Sequence, residues 1–372
     1  MTETTGPTTG LPVNWALATR TGSGLVLPGP AVDAHDAQRE VERLRDGART
    51  GEEHVRRLTG LGAGLPVPEA AVVDRPAWIA SAVDGIAALT AEVPLPARGR
   101  TPGVLGRAAS AATASVAGVQ MGTLLAFLAA RVLGQYDPFA GRDTAGRTDD
   151  PRGDGAGEGD GRLLLVAPNV TAVRTALRVD AEDFALWVCL HEATHRLQFT
   201  AVPWLREHFR AEVGRFAGGL SDASSSLAER LPEIARSLRG ARGGGAASLL
   251  EMVQGPEQRA VLDRLLALTT LLEGHAEHVM DEVGPDVVPS VATIRSRFTA
   301  RRRGGSLLDR LLRLLLGMEA KVRQYEQGRV FVDETVARVG MDGFNAVWTS
   351  PETLPRRAEI TDPAAWVARV HG

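Results

Sequence analysis

The chain has 372 residues, 44% of them hydrophobic and 23% charged, with a formal net charge of −3. That length allows about two domains or one large one, and the apolar fraction excludes wholesale disorder. A slightly acidic chain is not built to hold nucleic acid mainly through phosphate contacts. One cysteine, Cys189, excludes an internal disulfide, a Cys-built zinc finger and an iron–sulfur cluster. Lys321 is the only lysine among abundant Arg, Ala and Gly, the mark of a GC-rich coding sequence. The first ten residues lack the basic start and apolar run of a signal peptide. No uncharged apolar run of about 18 residues is found, so the expectation is a cytoplasmic protein without a membrane span.

In chain order, residues 11–136 read as an N-terminal helical part. Asp33–Leu58 is charged and amphipathic, and Pro76–Leu89 and Gly106–Leu133 carry apolar residues at helical spacing. The third is rich in Ala, Gly and Ser. It is expected to be a closely packed central helix, because Arg107, Gln120 and Arg131 interrupt it. Residues 137–161 are Gly- and Asp-rich with almost nothing to bury, which predicts a disordered linker or loop. Gly240–Ala247 and Arg301–Ser306 are shorter breaks.

Residues 162–372 form the second part, expected to pack with the first as one unit. Leu163–Val170, interrupted by Pro168, predicts an edge strand. Asp180 and Asp183 precede seven apolar residues, Phe184–Leu190, which predicts a capped helix buried nearly all round and ending before Pro203. Two more long helical patterns follow, Glu257–Val283 and Ser306–Val339. The expected fold is mainly α with a small β element.

The chemistry concentrates at His191-Glu192-Ala193-Thr194-His195, an HExxH on the buried helix. Residues four apart share a helix face, so both imidazoles can reach one metal ion. Glu192 lies about 100° round, where it can act as general base on a water that zinc has acidified. A third protein ligand is needed. The metzincin arrangement fails, because Gln198 and Ala201 stand where its Gly and His belong. Glu273 is the better candidate, deep in an apolar helix where an unpartnered carboxylate is expensive. With Glu277 one turn on, the pair is similar to that of gluzincin metallopeptidases, in which the third ligand is a Glu and an acid four residues later holds a zinc-binding histidine through its second ring nitrogen; Glu273 and Glu277 fit those two roles. The competing reading pairs Glu273 with an arginine inside a helical bundle. His275 and His278 point about 200° and 140° away from Glu273. They are read as structural first and as cleft-lining groups second. His208, beyond Pro203, has no defined direction, and Cys189 reads as a small core residue. Lys321–Gly328 contains Tyr325, which can stabilise an oxyanion or simply pack. Met341–Trp348 and Ser350–Asp362 are expected to wrap the C-terminus onto the core. Leu163–Val170 is a candidate edge for pairing with an extended peptide.

HEATHRLQF, LLEGHAEHVMD, KVRQYEQG, VGMDGFNAVWTSPETLP and AEITDPAAWVARV together resemble the type 2 zincin-like metallopeptidases. This is a bacterial group of candidate hydrolases, one branch named for its gene neighbourhood with deazaflavin-coenzyme biosynthesis. The resemblance runs from Val13 onward, apart from the loose linker. It implies a zincin-like core with an HExxH active-site helix, one zinc ion, and roles for His191, Glu192, His195 and Glu273. Arg196 departs from the zincin helix pattern, where an uncharged residue is usual. The expected activity is zinc-dependent hydrolysis, most simply of a peptide or protein. The alternative is a non-proteolytic, zinc-stabilised binding or regulatory protein. Hydrolysis of a non-peptide amide rests on gene neighbourhood alone. Substrate and oligomeric state are not encoded legibly.

Overall fold

The computed structural model describes residues 10–93, 104–140, 161–219, 255–303 and 322–372. The N-terminal part begins with α1 (Trp15–Leu25), whose first turn is closed by the Asn14 side chain accepting the Leu17 N–H. Helix α2 (Ala34–Thr59) is capped by Asp33 and ends at Gly60 in the left-handed region, φ 71°. Asp74 caps α3 (Arg75–Thr90), and Pro76 sits in its first turn, where no N–H is needed. Helix α4 (Val104–Ala129) supplies the predicted close packing. A Cβ at Gly118 would lie 2.6 Å from the Asn14 carbonyl oxygen, and one at Gly122 would lie 2.4 Å from that of Ala18. One stretch of α4, Ala108–Ala129, is long and apolar enough to cross a membrane by length and composition alone, a test that a core helix also passes.

Among the described residues three short strands make one sheet: β1 (Ala71–Val73), β2 (Gly134–Asp137) and β3 (Arg162–Val166). Their order is β1-β3-β2, with β1 parallel and β2 antiparallel to β3. The segment predicted as an edge strand is therefore the central one, and it stops earlier. Pro168 does not interrupt the strand but opens α5 (Ala167–Leu177). Leu164 and Val166 enter a core shared with α1, α3 and α4, whereas Leu163 and Leu165 enter the larger core around α2 and the HExxH helix. Burial on both faces explains an unbroken apolar run instead of alternation. Strands from both parts of the chain thus share one sheet. The first residues of the stretch expected to be a linker are instead part of the core, since Asp137 closes β2 and is buried along with Phe139. Residues 141–160 and 240–247 lie outside the described residues.

The second part continues with α6 (Ala181–Thr200), α7 (205–219), α8 (Pro256–Glu282), α9 (Gly284–Val287) and α10 (Val291–Arg303). Asp180 caps α6 by accepting from the N–H groups of Glu182 and Asp183. Asp183 does not reach back to the cap as expected; its Oδ2 accepts the Ser290 N–H at 2.7 Å, tying α6 to the start of α10. Glycines bring α2 against α6, since a Cβ on Gly51 would sit 3.2 Å from the Cys189 carbonyl carbon. Cys189 is fully buried there, and burial pushes its thiol well above its ordinary value, so it behaves as a core residue. Helix α11 (Val322–Phe344) has its one non-helical residue at Gly340, φ 73°. Residues 306–321 of the predicted last helix lie outside the described residues.

Short 3₁₀ turns at Asn345–Trp348, Pro351–Thr353 and Glu359–Thr361 then lead to α12 (Pro363–His371). This tail wraps the core as predicted. Trp366 is fully buried with its Nε1 donating to Thr353 O, Asn345 donates to Thr59 O, and Arg369 pairs with Glu359.

Candidate metal centre

Helix α6 presents His191, His195 and Gln198 toward α8. The two elements meet at His191, His195 and Glu273, whose nearest donor atoms all lie within 4.8 Å of one another. His191 Nε2 and His195 Nε2 are 3.1 Å apart, and each is 3.7 Å from an oxygen of Glu273. Tetrahedral zinc with bonds near 2.1 Å holds its ligands about 3.4 Å apart, so this donor set fits that ion in both spacing and chemistry. Among the described residues no arginine pairs with Glu273, which leaves its carboxylate facing the two imidazoles.

Glu273 is placed by a close crossing of α8 and α11. The next residue, Gly274, lies so near Gly328 that a Cβ would come within 2.2 Å of the Gly328 carbonyl carbon. Neither glycine stood out in the sequence. Glu192 lies beside the histidines and is only 7% exposed. Burial first, and the Glu273 charge second, hold its carboxyl up to about 8. Strand β2 covers it: a Cβ at Gly134 would stand 2.6 Å from Glu192 Cγ. Only glycine lets the strand pass so close.

Behind the imidazoles the partners differ from expectation. His195 Nδ1 meets Gln198 Oε1 at 2.9 Å, and His191 Nδ1 lies 3.2 Å from Met280 Sδ. Glu277, expected to hold a ligand histidine, instead forms an ion pair with Arg295, which also binds Asp281. The reason is local: α10 brings a long cation to that face of α8. Gln198 could have been found from sequence, because it lies three residues after His195 on the same helix face.

His275 and His278 do not line the cleft. His275 is fully buried, with Nδ1 3.1 Å from Gln198 Nε2 and its ring 5.3 Å from Phe344 and 5.4 Å from Trp348. Burial, then the neighbouring His278 and His195, lower its pKa to about 3. His278 Nδ1 bonds Asp333 Oδ1 at 2.7 Å. Tyr325 falls in the first turn of α11, and its side chain is outside the described residues. His208 stacks edge-on against Trp204.

Arg196 is buried without disturbing the helix. It pairs with Glu52 of α2 and donates to Pro66 O at 3.0 Å. Glu52 also binds Arg56, which reaches the carbonyls of Gly62 and Leu65. The unusual arginine therefore locks the loop after α2 onto the back of the HExxH helix.

The histidines, Glu192 and Glu273 open into a cleft of about 500 Å³. Its walls are largely apolar, with Trp78 and Ile86 from α3, Leu125 and Leu128 from α4, and Phe199 and Phe209 opposite. Strand β2 runs along one side and is the outer strand of the sheet among the described residues.

Two histidines and an adjacent glutamate on an HExxH helix, with a glutamate donor from a second helix, form the arrangement of the zincin class. The chain matches the zincin-like metallopeptidase family over residues 13–367, nearly its full length, and belongs to that family. It also resembles the crystal structure of a candidate hydrolase with a novel fold from Chloroflexus aurantiacus. That likeness has 28% identity and a TM-score of 0.64, and it covers 96% of this chain and 99% of the other. No curated protein matches.

Proposed function

We propose that this protein is a zinc-dependent hydrolase acting on peptide bonds, working in the cytoplasm. The observation that carries this reading is the convergence of His191, His195 and Glu273 at the floor of a cleft that also holds Glu192. A bound zinc ion would supply Lewis-acid activation of water and of the scissile carbonyl. The protein's own contribution is fourfold. The two imidazoles and the Glu273 carboxylate would hold the ion. Glu192 takes the proton of the attacking water and returns it to the leaving nitrogen. The apolar walls exclude bulk water and bind apolar side chains. The outer edge of β2, rather than β3, offers backbone groups to an extended substrate beside Glu192.

The test combines metal content with hydrolysis. Wild-type protein purified without added metal is expected to carry about one zinc per chain, and Glu273→Ala much less. Glu192→Gln is expected to keep the zinc and lose hydrolysis of a mixed peptide library read by mass spectrometry. Zinc in wild type without cleavage of any peptide would replace this reading with a zinc-stabilised binding or regulatory protein. No zinc in wild type, even after it is offered, would remove the metal centre altogether.

A further inference from the structure

We propose that Gln198 is the positioning residue of the metal centre, fixing the tautomer of His195 and coupling both ligand-bearing helices through one side-chain amide. The inference rests on the zinc reading above and deepens it.

Gln198 is fully buried and makes three polar contacts. Its Nε2 lies 3.0 Å from Leu272 O and 3.1 Å from His275 Nδ1, while Oε1 lies 2.9 Å from His195 Nδ1. A backbone carbonyl carries no proton, so the amide nitrogen must be the atom that faces Leu272. That settles which end of the amide faces His195. An amide oxygen only accepts, so His195 must carry its proton on Nδ1. Its Nε2 is then a bare lone pair, directed toward His191 Nε2 and Glu273. The second amide proton is donated to His275 Nδ1, which therefore acts as an acceptor.

The placement also matters along the chain. Gln198 and His195 share a face of α6 at i,i+3 spacing. Leu272 immediately precedes Glu273, so one amide ties the helix bearing two ligands to the backbone just ahead of the third. His275 is packed by Phe344 and Trp348, which links the C-terminal wrap to the metal centre through the same amide. An amide, unlike a carboxylate, orients the imidazole without adding a negative charge beside the ion.

The test separates hydrogen bonding from space filling. Zinc dissociation constants are measured by chelator competition on wild type, Gln198→Met and Gln198→Glu, alongside the visible spectrum of each cobalt-substituted form. Methionine fills the volume but accepts poorly, so zinc affinity should fall about 10–100-fold and the cobalt spectrum should change. Glutamate keeps the acceptor for His195 and loses the N–H for Leu272. It should lower thermal stability yet hold zinc within about fivefold of wild type. Zinc affinity unchanged in the methionine variant, or more than fivefold weaker in the glutamate variant, overturns the proposal. If the methionine variant does not fold, the glutamate variant alone decides by that same limit. Failure of wild type to bind zinc would be a different result, removing the metal centre and the proposal with it.

Discussion

Replacing Gly274 by alanine tests how the third ligand is placed. The new Cβ would stand 2.2 Å from the Gly328 carbonyl carbon and 2.3 Å from its oxygen. Both are main-chain atoms, so no side chain can rotate away. Reaching ordinary contact requires α8 and α11 to part by about 1 Å, at the upper end of the usual overpacking cost of about 1–3 kcal/mol. Alanine recovers about 1 kcal/mol through helix propensity, leaving a net loss of about 2 kcal/mol. For a chain of this length that corresponds to a fall in Tm of about 2–3 °C. The effect on metal should be larger. Zinc–oxygen bonds tolerate errors of about 0.2 Å, and Glu273 is covalently adjacent to the displaced residue. Zinc affinity should fall at least tenfold. Differential scanning calorimetry and chelator competition measure the two effects. A Tm raised by about 1 °C with wild-type zinc affinity would mean that propensity alone had changed, and the crossing would not control Glu273.

Three further outcomes are expected. Gly134→Ala should displace the Glu192 side chain, leaving zinc content unchanged and lowering kcat on a cleaved peptide by about 10²-fold, the usual consequence of misplacing a reacting group by about 1 Å; unaltered kcat would show that Glu192 moves freely. Glu52→Ala should lower stability by about 3–5 kcal/mol in urea unfolding, because Arg196 is 3% exposed and would lose its carboxylate partner; a loss under 1 kcal/mol would show that water replaces the partner. At Glu359, burial raises the carboxyl pKa, but the stronger combined effect of hydrogen bonds from Arg369 and the Arg356 N–H keeps it below its ordinary value. Its contribution is therefore present above about pH 4.5 and lost as pH falls through the lowered folded value. Between about pH 5 and 3, Tm of wild type should fall more steeply than that of Glu359→Gln. Parallel curves would assign acid sensitivity elsewhere.

The sequence by itself determined the ingredients whose information is local. Helical spacing carries His191 and His195 to one face, and the apolar run before them announces a buried helix. Asp180 marks a helix start because a side-chain cap acts within three residues. Glu273 was legible as an acid in an apolar helix, a position that demands a partner. Tertiary structure decided everything that depends on what lies across from a residue. The run Leu163–Val166 reads alike at a sheet's edge or centre, and only pairing with β1 and β2 made it central. Arg295 captured Glu277, and Gln198 and Met280 took the ring nitrogens behind the ligands. Glu192 lies under β2, and Glu273 is seated by a helix crossing, because Gly134 and Gly274 have no Cβ to prevent the approach. A missing side chain leaves no signal in spacing or polarity, and its consequence appears only when a second backbone occupies the space.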